Sequence, residues 1–124
     1  MILGWLVAIV LICTSQALVY AADMNKVRVV QTGSDQPKAF CAEFHLSQIE
    51  AAEILRKSRL ITAVEYLQDF EFLPCFVKGL AFLGREEVEW EIRAGGNIRL
   101  KKDDGEDIFL GCDECKTTFG RMSK

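Results

Sequence analysis

From residue 86 onward the chain alternates. Val88, Trp90 and Ile92 are apolar, while Glu89, Glu91 and Arg93 are charged. That period of two sends successive side chains to opposite faces of a strand. Ile98 and Leu100 alternate with Arg99 and Lys101, and Ile108, Leu110 and Cys112 keep the same phase. Gly95-Gly96 and Asp103-Asp104-Gly105 separate the runs with residues that accept the backbone angles of tight hairpin turns. Upstream, the run Cys75 to Leu83 (CFVKGLAFL) is apolar on both faces apart from Lys78, which predicts a strand inside a sheet. The four runs together predict an antiparallel meander.

A different period precedes it. Ser47 is followed three residues later by Glu50, the spacing of a capping box at a helix N-terminus. Behind it, Ala51, Ala52, Ile54 and Leu55 fall on one arc and Glu50, Glu53, Arg56 and Lys57 on the other, predicting an amphipathic helix over a core. Thr62 and Glu65 repeat the capping spacing, so a second, short helix is expected from Ala63 to about Asp69. A strand is the alternative there, since Leu60, Ile61 and Val64 are apolar and mostly β-branched. Pro74 forces Leu73 toward an extended conformation and ends the helix before it. Helices first and strands after predict an α+β domain, one or two N-terminal helices on a four-stranded antiparallel β-meander, over residues 40–124. Residues 22–39 read as a flexible N-terminal arm in which Val27, Val29 and Val30 offer at most a short edge strand.

The first 22 residues contain no charged side chain, and Ile2 to Ile12 is unbroken apolar sequence and Gly. Small residues around Ala17 and Ala21 follow. Residues 1–21 are therefore expected to be a signal peptide cut after Ala21, with a retained membrane anchor as the alternative. Cys13 would leave with it; Ile12 before it does not suit lipid attachment. The expected location is the periplasm or the extracellular space. With 124 residues, half of them hydrophobic and 27% charged, the chain suits one packed domain. A net charge of −3 with both signs interspersed speaks against nucleic acid and against an electrostatic membrane-surface role. A membrane enters only if the N-terminal segment is retained.

Four cysteines then remain, Cys41, Cys75, Cys112 and Cys115, and an even count in a small exported domain predicts two disulfides. In a flat sheet Cys75 and Cys112 would stand roughly 14 Å apart, at about 4.8 Å per strand. A disulfide needs Cα atoms within about 7 Å. Cross-linking of the tail therefore requires the sheet to curl or the chain after Gly111 to fold back. We favour that arrangement, with Cys112 and Cys115 each taking one upstream partner. In the other, Cys41 pairs with Cys75 and the Cys-x-x-C closes on itself.

The same Cys112 and Cys115 form the runner-up functional reading, a thiol-disulfide redox site. Cys112 ends a strand instead of opening a helix, however, and Asp113 and Glu114 disfavour a thiolate. A zinc site would want two Cys-x-x-C pairs, and one is present. No metal or other cofactor is expected. His45, the sole histidine, lacks a positioned partner in sequence, no nucleophile motif occurs, and the acids from Asp103 to Asp107 lack the spacing of a calcium loop. No catalytic residue is assigned. Phe70, Phe72 and Phe76 are the candidate contact surface, weighed against an ordinary place in the core at the helix-to-sheet junction. A ligand pocket between the helix and the Trp90 face is a third possibility, but no small-molecule substrate is identified.

The layout resembles a group of small exported bacterial proteins without an assigned function. The resemblance rests on Cys41 ahead of a capped helix, Glu65-Tyr66-Leu67, Pro74-Cys75 before a strand, Trp90-Glu91-Ile92 with Gly95 and Ile98, and Leu110-Gly111-Cys112-Asp113-Glu114-Cys115. It covers about residues 40 to 115 and implies a periplasmic α+β domain without implying an activity. The expectation is a disulfide-stabilised, non-enzymatic domain that binds another exported protein or an envelope component. A toxin-neutralising, immunity-type role is one form of it.

Overall fold

The computed structural model describes residues 24–36, 41 and 43–115. The predicted signal peptide, the remainder of the arm and the C-terminal tail lie outside the described residues. Two helices, α1 (Gln48–Lys57) and α2 (Ala63–Gln68), accompany six strands. These are β1 (Met24–Ser34), β2 (Arg59–Ile61), β3 (Cys75–Leu83), β4 (Glu86–Arg93), β5 (Asn97–Lys101) and β6 (Asp107–Gly111). They form one antiparallel sheet in the order β1-β3-β4-β5-β6-β2. The domain is α+β, as expected, but the sheet has six strands where the pattern suggested four. The two additions are the edges. Residues 24–34, expected to be a loose arm, pair along the whole length of β3. Leu60 and Ile61 pair with Leu110 and Phe109, so the chain makes a short strand before its second helix.

Both capping boxes form. Ser47 accepts the amide of Glu50 and Glu50 accepts the amide of Ser47, and Thr62 and Glu65 repeat the exchange. The Ser47 amide also holds the Glu50 carboxyl below its ordinary pKa, since the bond is made to the charged form. Ala51, Ile54 and Leu55 are buried by α1. On the sheet, the apolar phase supplies the other half of the core: Val77, Ala81, Val88, Trp90, Ile92, Ile98, Leu100, Ile108 and Leu110 are all buried. Fully removing one such side chain from water contributes about 1.5–3 kcal/mol.

Trp90 is the largest fully buried side chain, and its Nε1–H donates to the Leu80 carbonyl at 3.0 Å. Its place depends on Gly79 opposite it in β3: a Cβ there would collide with the Trp90 ring and with the Arg28 carbonyl. Glycine in a strand interior, usually a weakness, here makes room for an indole. Trp90 shares this core with Phe44 and Leu55, both fully buried as well. A second, smaller cluster of Ile61, Tyr66 and Phe70 lies under α2, with Phe109 against it. Phe70 presses so closely on Gly111 of β6 that a side chain at that position would clash with its ring.

All four cysteines among the described residues are disulfide-bonded, but the pairing is Cys41–Cys75 and Cys112–Cys115, each with Cα atoms 5.3 Å apart. The favoured cross-linking of the tail is thus corrected. Three strand spacings separate Cys75 from Cys112 in the sheet order. The tail does not fold back: the Cys112 amide bonds the Gly96 carbonyl and the Cys115 amide bonds Cys112, forming a tight turn. Cys41, ahead of α1, reaches the start of β3 instead. The two staples should differ in worth. Closing a loop of 34 residues constrains the unfolded chain by about 4 kcal/mol, and closing one of three by about 2 kcal/mol or less. Replacing Cys41 and Cys75 together by Ala should thus lower the urea midpoint more than replacing Cys112 and Cys115. An equal loss would contradict the loop-closure account.

Candidate functional site

The sheet has a second face. Side chains that alternate with the core residues point away from α1: Phe76 and Lys78 from β3, Glu89, Glu91 and Arg93 from β4, Arg99 and Lys101 from β5, and Phe109 from β6. Of these, Arg93 is the most deeply committed. Its side chain is 6% exposed, a position that a permanent charge occupies only when its donors are met. Nη2 donates to Asp35 Oδ2 at 2.7 Å, Nη1 to the Leu73 carbonyl at 2.7 Å, and Nε to Glu91 Oε2 at 3.3 Å. The guanidinium plane also lies 4.3 Å from the Phe72 ring centroid and 5.4 Å from that of Phe76. Arginine alone offers donors in a fixed fork together with flat faces that stack on aromatics. One side chain thereby ties the end of β1, the loop after α2, β3 and β4.

Glu91 is buried beside it and also meets Lys78 Nζ at 3.7 Å. Tyr66 of α2 leans over the same group. Its ring lies 4.8 Å from Phe109 and 5.9 Å from Phe72, and its carbonyl accepts from Asn97 Nδ2 at 3.2 Å. Burial, with the Glu91 carboxylate adding to it, pushes the Tyr66 phenol above its ordinary pKa. These groups surround an open basin of about 470 Å³. One wall is apolar and aromatic, made of Ala63, Tyr66, Leu67, Phe72 and Phe109, and the floor is ionic, made of Asp35, Lys78, Glu91, Arg93 and Arg99. Two smaller depressions continue it along the strands. The first shares Lys78, Glu91 and Arg99, and the next shares Glu89 and Lys101 with the first.

The predicted aromatic surface is divided by the structure. Phe70 is in the small cluster under α2 and Phe76 is buried against Gly33 and Arg93. Only Phe72, at 49% exposure, faces solvent, and it does so at the lip of the basin. Leu67, 60% exposed, extends the same lip. The Cys-x-x-C is elsewhere and closed: Cys112 is fully buried and Cys115 nearly so. The acids between them are held from outside, Asp113 by Arg59 at 2.6 Å and Glu114 by Lys57 at 4.0 Å. His45 is exposed ahead of α1. The acids from Asp103 to Asp107 form a solvated hairpin, in which Asp104 accepts the Glu106 amide. Among the described residues no group of three His, Cys, Asp or Glu side chains is arranged to hold a metal ion.

Sequence reasoning missed the basin because Glu89, Glu91 and Arg93 look like any solvent-facing strand phase. The usable signal was the same phase in β3, where Phe76, Leu80 and Phe82 flank Lys78 and are too apolar for a free surface. No protein-family model matches the chain, and neither a curated protein nor a solved structure is similar to it.

Two outcomes follow from this geometry. Arg93→Met leaves Glu91 buried with only Lys78 against it and should cost about 3–5 kcal/mol in urea unfolding at neutral pH. Arg93→Lys should not restore the loss, because one ammonium group cannot reach three separated acceptors. Near wild-type stability in either variant would contradict the assignment. For Tyr66, the folded pKa lies above the unfolded one, so the phenol's contribution is fully present below about pH 10 and is lost as pH rises through the folded value. Phenolate absorbance, with Tyr66→Phe as the control, should show a midpoint above the ordinary phenol value.

Proposed function

We propose that the protein is a small exported domain that works by binding, without catalysis, and that its binding surface is the basin on the outer face of the sheet. The observation that carries this reading is the mixed lining of that basin. Leu67 and Phe72 stand at its lip with 60% and 49% of their surface in water, and their apolar area is stabilised only when something covers it. Beneath them lies a charged floor in which Asp35, Lys78, Glu91 and Arg93 hold one another in position beside Arg99, which gives orientation and selectivity to whatever enters. Glu91 is engaged by Arg93 and Lys78, and Asp35 by Arg93. A floor of groups already engaged in this way suits recognition better than proton transfer.

Export is supported by the two disulfides, which persist in oxidising compartments, and by the uncharged N-terminal segment. Among the described residues no helix is long and apolar enough to cross a membrane. The partner in this reading is another exported protein or a component of the cell envelope, with neutralisation of a secreted toxin as one form of the first. The Cys112–Cys115 turn belongs to the scaffold and fastens the end of β6 to β2 and α1.

The reading is tested by chemical cross-linking in the intact envelope. Leu67→Asp, or Phe72→Ala, should reduce the yield of the cross-linked partner about tenfold, the loss expected from one well-packed contact. Ile49→Asp, on exposed α1 at the other side of the sheet, should leave it unchanged. The opposite pattern would place the binding surface on α1.

A further inference from the structure

We infer that the basin takes an extended segment of another protein, in which an acidic side chain pairs with Arg99 and a neighbouring apolar side chain packs against Tyr66, Phe72 and Phe109. This rests on the reading of the outer face as the binding surface and adds the chemistry of the occupant.

The first observation is a local imbalance of charge. Glu91 has three cations around it. Lys78 and Arg99 are its register partners on either side, and Arg93 follows two residues along the same strand. Glu91 is bonded to Arg93 and lies within ion-pair distance of Lys78. Arg99 forms no ion pair with any described residue; its other register partner is Phe109. The basin therefore holds three cations, Lys78, Arg93 and Arg99, against two carboxylates, Asp35 and Glu91. This excess of one positive charge sits in a chain whose net charge is −3. An incoming carboxylate completes the set, and the Arg99 guanidinium can hold it through two parallel N–H donors.

The second observation is shape. The basin opens into the two depressions that follow the outer phase of β4, Glu87, Glu89, Glu91 and Arg93. Six residue steps along a strand span about 20 Å, the reach of roughly six residues of extended peptide. A small free anion would satisfy Arg99 but leave Leu67 and Phe72 wet. A peptide that places an apolar side chain beside its acid covers both, with the aromatic wall supplying area and the guanidinium supplying register.

The experiment uses the full oxidised chain and two synthetic peptides of roughly six residues. One carries a central Glu next to Leu and Phe; the other has Gln in place of that Glu. Calorimetric titration should show the Glu peptide binding at least about tenfold more tightly, the size expected for a hydrogen bond to a charged partner. Arg99→Gln, at a partly exposed position, should abolish the preference while leaving the Gln peptide's affinity unchanged. Binding of the Glu peptide should also raise the Tyr66 phenol midpoint further, since a second carboxylate is then set beside it. Equal affinities for the two peptides, a preference that survives Arg99→Gln, acetate competing as well as the Glu peptide, or no binding would each overturn the inference. Equal affinities that fall in Leu67→Asp would refute the anion anchor alone and leave the outer face as the binding surface. Peptide binding indifferent to both Leu67→Asp and Arg99→Gln would refute that surface as well.

Discussion

A guanidinium cannot shed its charge, so wherever it is buried the surrounding chain must supply acceptors in the plane of its donors. Arg93 sets this condition for the whole outer face. Its acceptors come from residue 35, at the end of the first strand, from the carbonyl of residue 73, and from residue 91 on its own strand. Phe72 and Phe76 lie within cation–π distance of the same group. Leaving any one of these partners out would strand a buried donor, at a cost of the order of 1–3 kcal/mol each. The edge strand, the loop after α2 and the middle of the sheet are therefore fixed in position by one group. The basin is the space that remains between them.

The core face follows the opposite logic. There, non-directional burial of apolar area does the work, and the specific demands are steric. Trp90 needs the missing side chain of Gly79 as much as it needs apolar neighbours, and Phe70 needs that of Gly111. The disulfides hold the periphery of this arrangement. One ties the segment before α1 to the start of β3, and the other folds the end of β6 into a turn that Arg59 and Lys57 grip by its acids. A rigid, stapled sheet with one filled face leaves its other face available for recognition.

Much of this was legible in the chain. Both capping boxes, the alternation of β4 to β6 and the hairpin at Asp103-Asp104-Gly105 are local patterns, and each formed where its spacing predicted. The strand character of residues 24–34 was not legible, because most of that segment's surface stays in water and its pairing is long-range. The disulfide pairing turned on the tight turn after β6 and on where the segment before α1 meets β3, long-range placements that a sequence does not encode residue by residue. The basin was hidden for a related reason: Asp35 and Arg93 are separated by 58 positions, and nothing near either one announces the other. Tyr66, which the helical pattern places merely within α2, gains its meaning only when β4 and β6 are brought beneath it.

The proposed binding role depends on whether one buried charge organises the outer face of the sheet. Amide hydrogen exchange in Arg93→Met, compared with the wild-type chain, tests that dependence most directly, since it reports opening segment by segment. Protection should fall furthest over residues 31–36 and 70–75, beyond the loss that the lower global stability imposes on α1, β5 and β6. An equal loss across the domain, or unchanged protection in those two segments, would contradict the account.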